Sequence, residues 1–139
     1  MKKGMLMNSE IAYEIAKMGH TDGLVIADCG LPIPKDVKRI DLALTKDIPK
    51  FIDVLNIIAS ELCIEEVIIA HQMHSVSPEL FKEFQEIINR YEKESGKKIK
   101  LLEVDHDEFK KMTHNARCIV RTGECTPYAN VILKSGVVF

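Results

Sequence analysis

Two short apolar stretches, Leu24 to Ala27 and Val67 to Ala70, constrain this chain more than any other feature. Runs of this length with no alternating polar partner predict strands buried on both faces, as in a parallel sheet covered by helices above and below. Helical patterns stand between them. Asn8 or Ser9 can cap a helix with Ile11, Ala12, Ile15 and Met18 on one face and Gly19 as a left-handed stop. Asp47 and Pro49 mark the start of a second, with Phe51, Ile52, Leu55, Ile58, Ala59 and Leu62 on its apolar face. Ser77-Pro78 opens a third, presenting Phe81, Phe84, Ile87, Ile88 and Tyr91 before Ser95-Gly96 ends it.

Further strands are expected at 40–44, 99–104, 118–121 and 129–133, and a short polar helix at 107–114. The order is then roughly αββαβαβαββ. Strands alternating with helices predict an α/β protein, a three-layer α/β/α sandwich with a mostly parallel, mixed central sheet and an antiparallel element near the C-terminus. With 139 residues, one core is the expectation, and residues 1–139 read as a single domain.

Composition narrows the function classes. Apolar residues at 46% and charged residues at 29% fit a globular protein rather than a disordered one. Lys and Arg number 19 against 21 for Asp and Glu, and they are scattered, which argues against nucleic acid as a partner. No apolar run approaches the roughly 20 residues that span a bilayer, and Met1-Lys2-Lys3-Gly4 leads into a polar segment, so no membrane association and a cytoplasmic location are expected. Cys29, Cys63, Cys118 and Cys125 form neither a Cys-x-x-Cys pair nor a secreted disulfide framework and read as reduced thiols.

In open α/β sheets ligands collect beyond the C-terminal ends of the strands. That rule selects Asp28, Asp105-His106-Asp107 and the loop from Thr122 to Asn130. His20 follows a helix C-terminus, where a protonated imidazole is favoured, so it can serve as a general acid or simply bond the last helical carbonyls. Asp28 can accept sugar hydroxyls, orient His20, or close an Asx turn before Cys29-Gly30. His106 is either a site residue or the exposed start of a helix. If Tyr128-Ala129-Asn130 is extended, Tyr128 and Asn130 share one side and suit a polyhydroxylated ligand; otherwise they pack a loop. His71-x-x-His74 has metal-ligand spacing but no third ligand near it in sequence. Neither a glycine-rich phosphate loop nor a GxSxG elbow is present.

Taken together, Lys2-Lys3-Gly4, Asn8, Gly19-His20-Thr21-Asp22, Leu24 to Asp28, Gly30-Leu31-Pro32-Ile33-Pro34 and Gly123 to Asn130 closely resemble the D-ribose pyranase family over essentially the whole chain. The resemblance implies an enzyme that interconverts the pyranose and furanose forms of free D-ribose, needs no cofactor or metal, and forms ring-shaped homo-oligomers, often decamers. It also implies that His20 is the proton donor, and that Asp28, His106, Tyr128, Ala129 and Asn130 bind substrate. Cys29 departs from the alanine expected in that family, a small-for-small change. The sister group of L-fucose mutarotases shares the Gly-His-x-Asp segment, and a non-catalytic sugar-binding module is the alternative from another class.

Overall fold

A computed structural model describes all 139 residues. Six strands and five α-helices follow one another as α1 (Ser9–Lys17), β1 (Gly23–Ala27), β2 (Lys38–Asp41), α2 (Phe51–Ala59), β3 (Ile64–Ala70), α3 (His71–Val76), α4 (Pro78–Ser95), β4 (Lys100–Val104), α5 (His106–Met112), β5 (Cys118–Arg121) and β6 (Val131–Ser135). A 3₁₀ turn at Thr113–Asn115 follows α5. The strands form one sheet in the order β2-β5-β1-β6-β3-β4. Five are parallel, and β6 runs antiparallel between β1 and β3. This is the expected mixed α/β sheet. No helix is long and apolar enough to cross a membrane.

The doubly buried strands are the apolar runs of the sequence. All five residues of β1 are buried, as are the last four of β3. Side chains alternate between two cores. On one face Leu24, Ile26, Val67, Ile69, Val120 and Leu133 pack under α1, α2 and α4 through Ile11, Phe51, Leu55, Ile58, Phe84 and Ile87. On the other, Val25, Ala27, Ile68, Ile119 and Ile132 meet Phe109 of α5 together with Leu31 and Val37 of the loop after β1. The helix at 106–112 is therefore less polar in function than its sequence suggests: Phe109 is fully buried and anchors the thinner layer.

Local chemistry explains most boundaries. Asn8 caps α1, its Oδ1 accepting from the Ile11 N–H at 2.9 Å. Pro78 occupies the first turn of α4, and Gly96, at φ 70°, closes it in the left-handed conformation. Gly19 does not play that part for α1. The helix ends at Lys17 with Met18 extended, and the positive φ falls instead on Thr21 at 68°. Three expectations shift. Residues 71–76, where no element is expected, form α3; β2 lies at 38–41 rather than 40–44; and β6 begins at Val131 rather than at 129.

Candidate active site

The C-terminal ends of β1, β3, β4 and β5 and the start of β6 share one edge of the sheet. Because β6 is antiparallel, the loop 122–130 must leave β5 and return over the end of β1 to enter β6. It therefore crosses Asp28. Asn130, fully buried, bonds that residue twice: Asn130 Nδ2 donates to Asp28 Oδ2 at 2.8 Å, and the Asp28 N–H donates to Asn130 Oδ1 at 2.9 Å. Asp28 Oδ1 also accepts from the Gly30 N–H at 2.9 Å. The Asx turn and the binding role are thus compatible, since each carboxylate oxygen retains acceptor capacity.

His106 is the first residue of α5, which Asp105 caps by accepting from the Asp107 N–H at 2.9 Å. Its ring lies 9° from coplanar with Phe109 and meets the Tyr128 ring edge-on, with centroids 5.0 Å apart. Burial pushes the imidazole below its ordinary pKa, and Lys110 adds to this against the opposing charges of Asp28, Asp107 and Asp105. Its Nδ1 is buried without a hydrogen-bond partner. Such a group is costly, by about 1–3 kcal/mol, unless something else satisfies it. Tyr128 holds φ 63°, a left-handed conformation uncommon for a bulky residue, and the Asn130 N–H donates back to its carbonyl at 2.8 Å. The segment Tyr128-Ala129-Asn130 is consequently a tight turn and not an extended strand. Tyr128 packs against the His106 ring whereas Asn130 bonds Asp28, and Ala129 is fully buried in the core beneath α1, α2 and α4.

His20 stands elsewhere. Thr21 N–H donates to the Ser135 carbonyl and Ser135 N–H to the Asp22 carbonyl, both at 2.8 Å, which fixes His20 at the far end of β6 from Asn130. Five residues of β1 separate the two ends, about 16 Å at 3.3 Å per residue. The possibility that Asp28 orients His20 is corrected by this geometry: strand β1 holds them apart. The partner of His20 is Glu65, whose two carboxylate oxygens lie 2.9 and 3.0 Å from Nε2, so Nε2 carries the proton it donates. The His20 side chain is exposed and that of Glu65 half-buried.

Several residues that shape the edge were not among the expected site residues. Gln72 of α3 donates from Nε2 to Asp105 Oδ2 at 3.0 Å and accepts the His106 N–H at 3.2 Å, tying α3 to the start of α5. Glu124, almost fully buried, accepts from the Phe51 N–H at 3.1 Å and from Thr126 Oγ1 at 2.8 Å, supplying the cap that Lys50 does not give α2. Ser77 Oγ donates to the Pro127 carbonyl at 2.8 Å. His71 and His74 diverge, His71 toward Asp105 at 3.5 Å and His74 onto Phe81 and Glu103. They are not part of any cluster of three metal-ligating side chains.

Polar side chains thus collect at the strand ends of a mixed α/β sheet, with a histidine–glutamate pair at the opposite end of β1. The chain belongs to the RbsD / FucU transport protein family, whose model matches residues 1–138. It is 55% identical to the D-ribose pyranases of Coprothermobacter proteolyticus and Clostridium perfringens and 50% identical to that of Vibrio vulnificus, over 139 residues and the whole of each chain. The fold superposes on Bacillus subtilis RbsD, solved with D-ribose, with a TM-score of 0.91 at 40% identity over both full chains. The fucose mutarotase of Streptococcus pneumoniae shares the fold, with a TM-score of 0.80 at 20% identity over both full chains.

Proposed function

We propose that this chain is a D-ribose pyranase, opening and reclosing the sugar ring by acid–base chemistry. The observation that carries the reading is the convergence of Asp28, His106, Tyr128 and Asn130 on one edge, with a buried and unpartnered His106 Nδ1 among them. Full-length similarity to curated D-ribose pyranases supports the same substrate. Asp28 accepts sugar hydroxyls on its remaining lone pairs, His106 Nδ1 takes a further hydroxyl, and Tyr128 packs edge-on against the His106 ring. Asn130 holds Asp28, and Ala129 packs the turn that presents both.

His20 is the acid in this reading. It protonates the ring oxygen while a base removes the anomeric hydroxyl proton, the carbon–oxygen bond breaks to leave an aldehyde, and a different hydroxyl attacks it after bond rotation. A positioned acid contributes about 10²–10⁴-fold to such a step. Glu65 fixes the imidazole as the Asp of a triad does. Since β1 keeps His20 from the Asp28 edge of its own chain, the His20 that acts on a given sugar comes from a neighbouring copy, in a cytoplasmic ring-shaped homodecamer.

Saturation-transfer NMR on equilibrated D-ribose tests the activity. Catalytic amounts of protein should speed exchange between pyranose and furanose anomeric signals, and His20→Ala should abolish most of the gain while remaining folded. Exchange at the buffer rate with saturable ribose binding would instead select a sugar-binding module, and exchange of L-fucose alone would select a mutarotase. Light scattering should give about ten times the chain mass; a monomer would defeat the shared site.

A further inference from the structure

Two cysteines meet at the same edge. Cys29 follows Asp28 and Cys125 lies in the loop that ends at Asn130, 96 positions apart in sequence, yet their Sγ atoms are 3.5 Å apart. The approach is fixed at the main chain of both cysteines. The Cys29 N–H donates to the carbonyl of Glu124, the residue before Cys125, at 2.8 Å. Arg121 Nε donates to the Cys29 carbonyl at 3.0 Å, and the Cys125 N–H donates to Asp47 Oδ1 at 3.0 Å. Both are free thiols; Cys125 is exposed and Cys29 half-buried.

We propose that Cys29 and Cys125 are a reversible oxidation site, forming an intramolecular disulfide that clamps the Asp28 turn to the 122–130 loop when a peroxide is present. A disulfide needs about 2.05 Å between sulfurs, so the pair must close by roughly 1.5 Å. In the first step the exposed Cys125 sulfur attacks one peroxide oxygen; the oxygen–oxygen bond breaks, a sulfenic acid forms, and the departing hydroxide leaves as water with the thiol proton. Cys29 then attacks the sulfenic sulfur. The sulfur–sulfur bond forms, the sulfur–oxygen bond breaks, and the hydroxide leaves as water with the Cys29 proton. Two thiols are oxidised by two electrons and one peroxide is reduced to two waters.

Neither remaining cysteine lies in hydrogen-bond contact with another thiol, as Cys29 and Cys125 do. Cys118 is fully buried in β5 with its thiol pushed up to about 12 by burial, and Cys63 donates its thiol to the Val137 carbonyl. Cys29 itself is held protonated above its ordinary range, first by its hydrogen bond to Cys125 and then by burial, which suits the resolving thiol better than the attacking one.

The test treats the folded protein with hydrogen peroxide and reads thiols after denaturation. The titre should fall from four to two with a mass loss of about 2 Da, a Cys29–Cys125 cross-linked peptide should appear, and dithiothreitol should restore all four thiols. Amide exchange across residues 122–127 should slow in the oxidised form. Cys29→Ala and Cys125→Ser should each lose both effects, whereas Cys63→Ser should keep them. Four thiols surviving, a sulfinic acid on Cys125 alone, a bridge involving Cys63, or a bridge between copies would each overturn the proposal. Because the readout is thiol chemistry, its failure leaves the sugar reading untouched.

Discussion

Asp28 and Asn130 satisfy each other's polar atoms, although 102 positions separate them in the chain. Asn130→Ala removes both bonds and leaves the Asp28 N–H and one carboxylate oxygen short of a partner beside a fully buried position. A loss of about 1–3 kcal/mol in urea unfolding is expected, with a rise in KM for ribose exceeding any fall in kcat. His106 makes a prediction of the opposite kind. Its folded pKa lies below the ordinary value of 6.5, so the unfolded chain binds more protons than the folded one between the two values. Stability at this residue is therefore unimpaired above about pH 6.5 and declines as the pH falls through that value toward the folded pKa. His106→Asn should flatten this part of a plot of Tm against pH, and an unchanged plot would show that the imidazole does not titrate with folding. That His106 was worth considering was legible in Asp105-His106-Asp107 at a strand end. That Gln72 would hold it was not, because a lone glutamine in a six-residue helix has no periodic or capping signature.

At the scale of elements, the 122–130 loop is pinned at several points along its length. Thr122 bonds the Ala27 carbonyl through both its N–H and its hydroxyl, and Glu124 caps a helix whose own N-cap residue makes no side-chain bond. Glu124→Ala should cost about 0.5–2 kcal/mol for the lost cap, read from thermal denaturation, and should loosen Thr126 and with it the turn at Tyr128. Gly123 sits against the backbone of Thr45 and Ile48 so closely that a Cβ would collide with main-chain atoms. Gly123→Ala should consequently destabilise by about 1–3 kcal/mol as an overpacked site, and lower ribose affinity because the displaced loop carries Tyr128. The capping of α1 by Asn8 and the stop of α4 at Gly96 were legible, since both depend on residues within four positions of one another. Helix α3 was not: its segment has one buried residue, Met73, and no apolar face to mark it. The extended reading of residues 128–130 failed for a related reason, as the left-handed φ of Tyr128 is imposed by the closing loop and not favoured by tyrosine itself.

For the molecule as a whole, the separation of His20 from the Asp28 cluster by the length of β1 is the decisive geometry. A shared site predicts complementation. His20→Ala and Asp28→Asn chains should each be nearly inactive, and co-refolded mixtures should regain about a quarter of wild-type exchange, because one interface in four then pairs an intact His20 with an intact Asp28. A mixture as inactive as its parents would place both residues in one chain's own site. By itself the sequence determined the class of element at most positions, the two-faced burial of β1 and β3, the α/β layering and the edge where polar residues collect, because these follow from local periodicity and from strand direction. Only the tertiary structure decided which residues meet: the antiparallel entry of β6 brings Asn130 and Cys125 to Asp28 and Cys29, and the length of β1 keeps His20 away. Those contacts span about a hundred residues of chain, and a separation of that size leaves no trace in any local pattern, since packing and not propensity brings the two ends together.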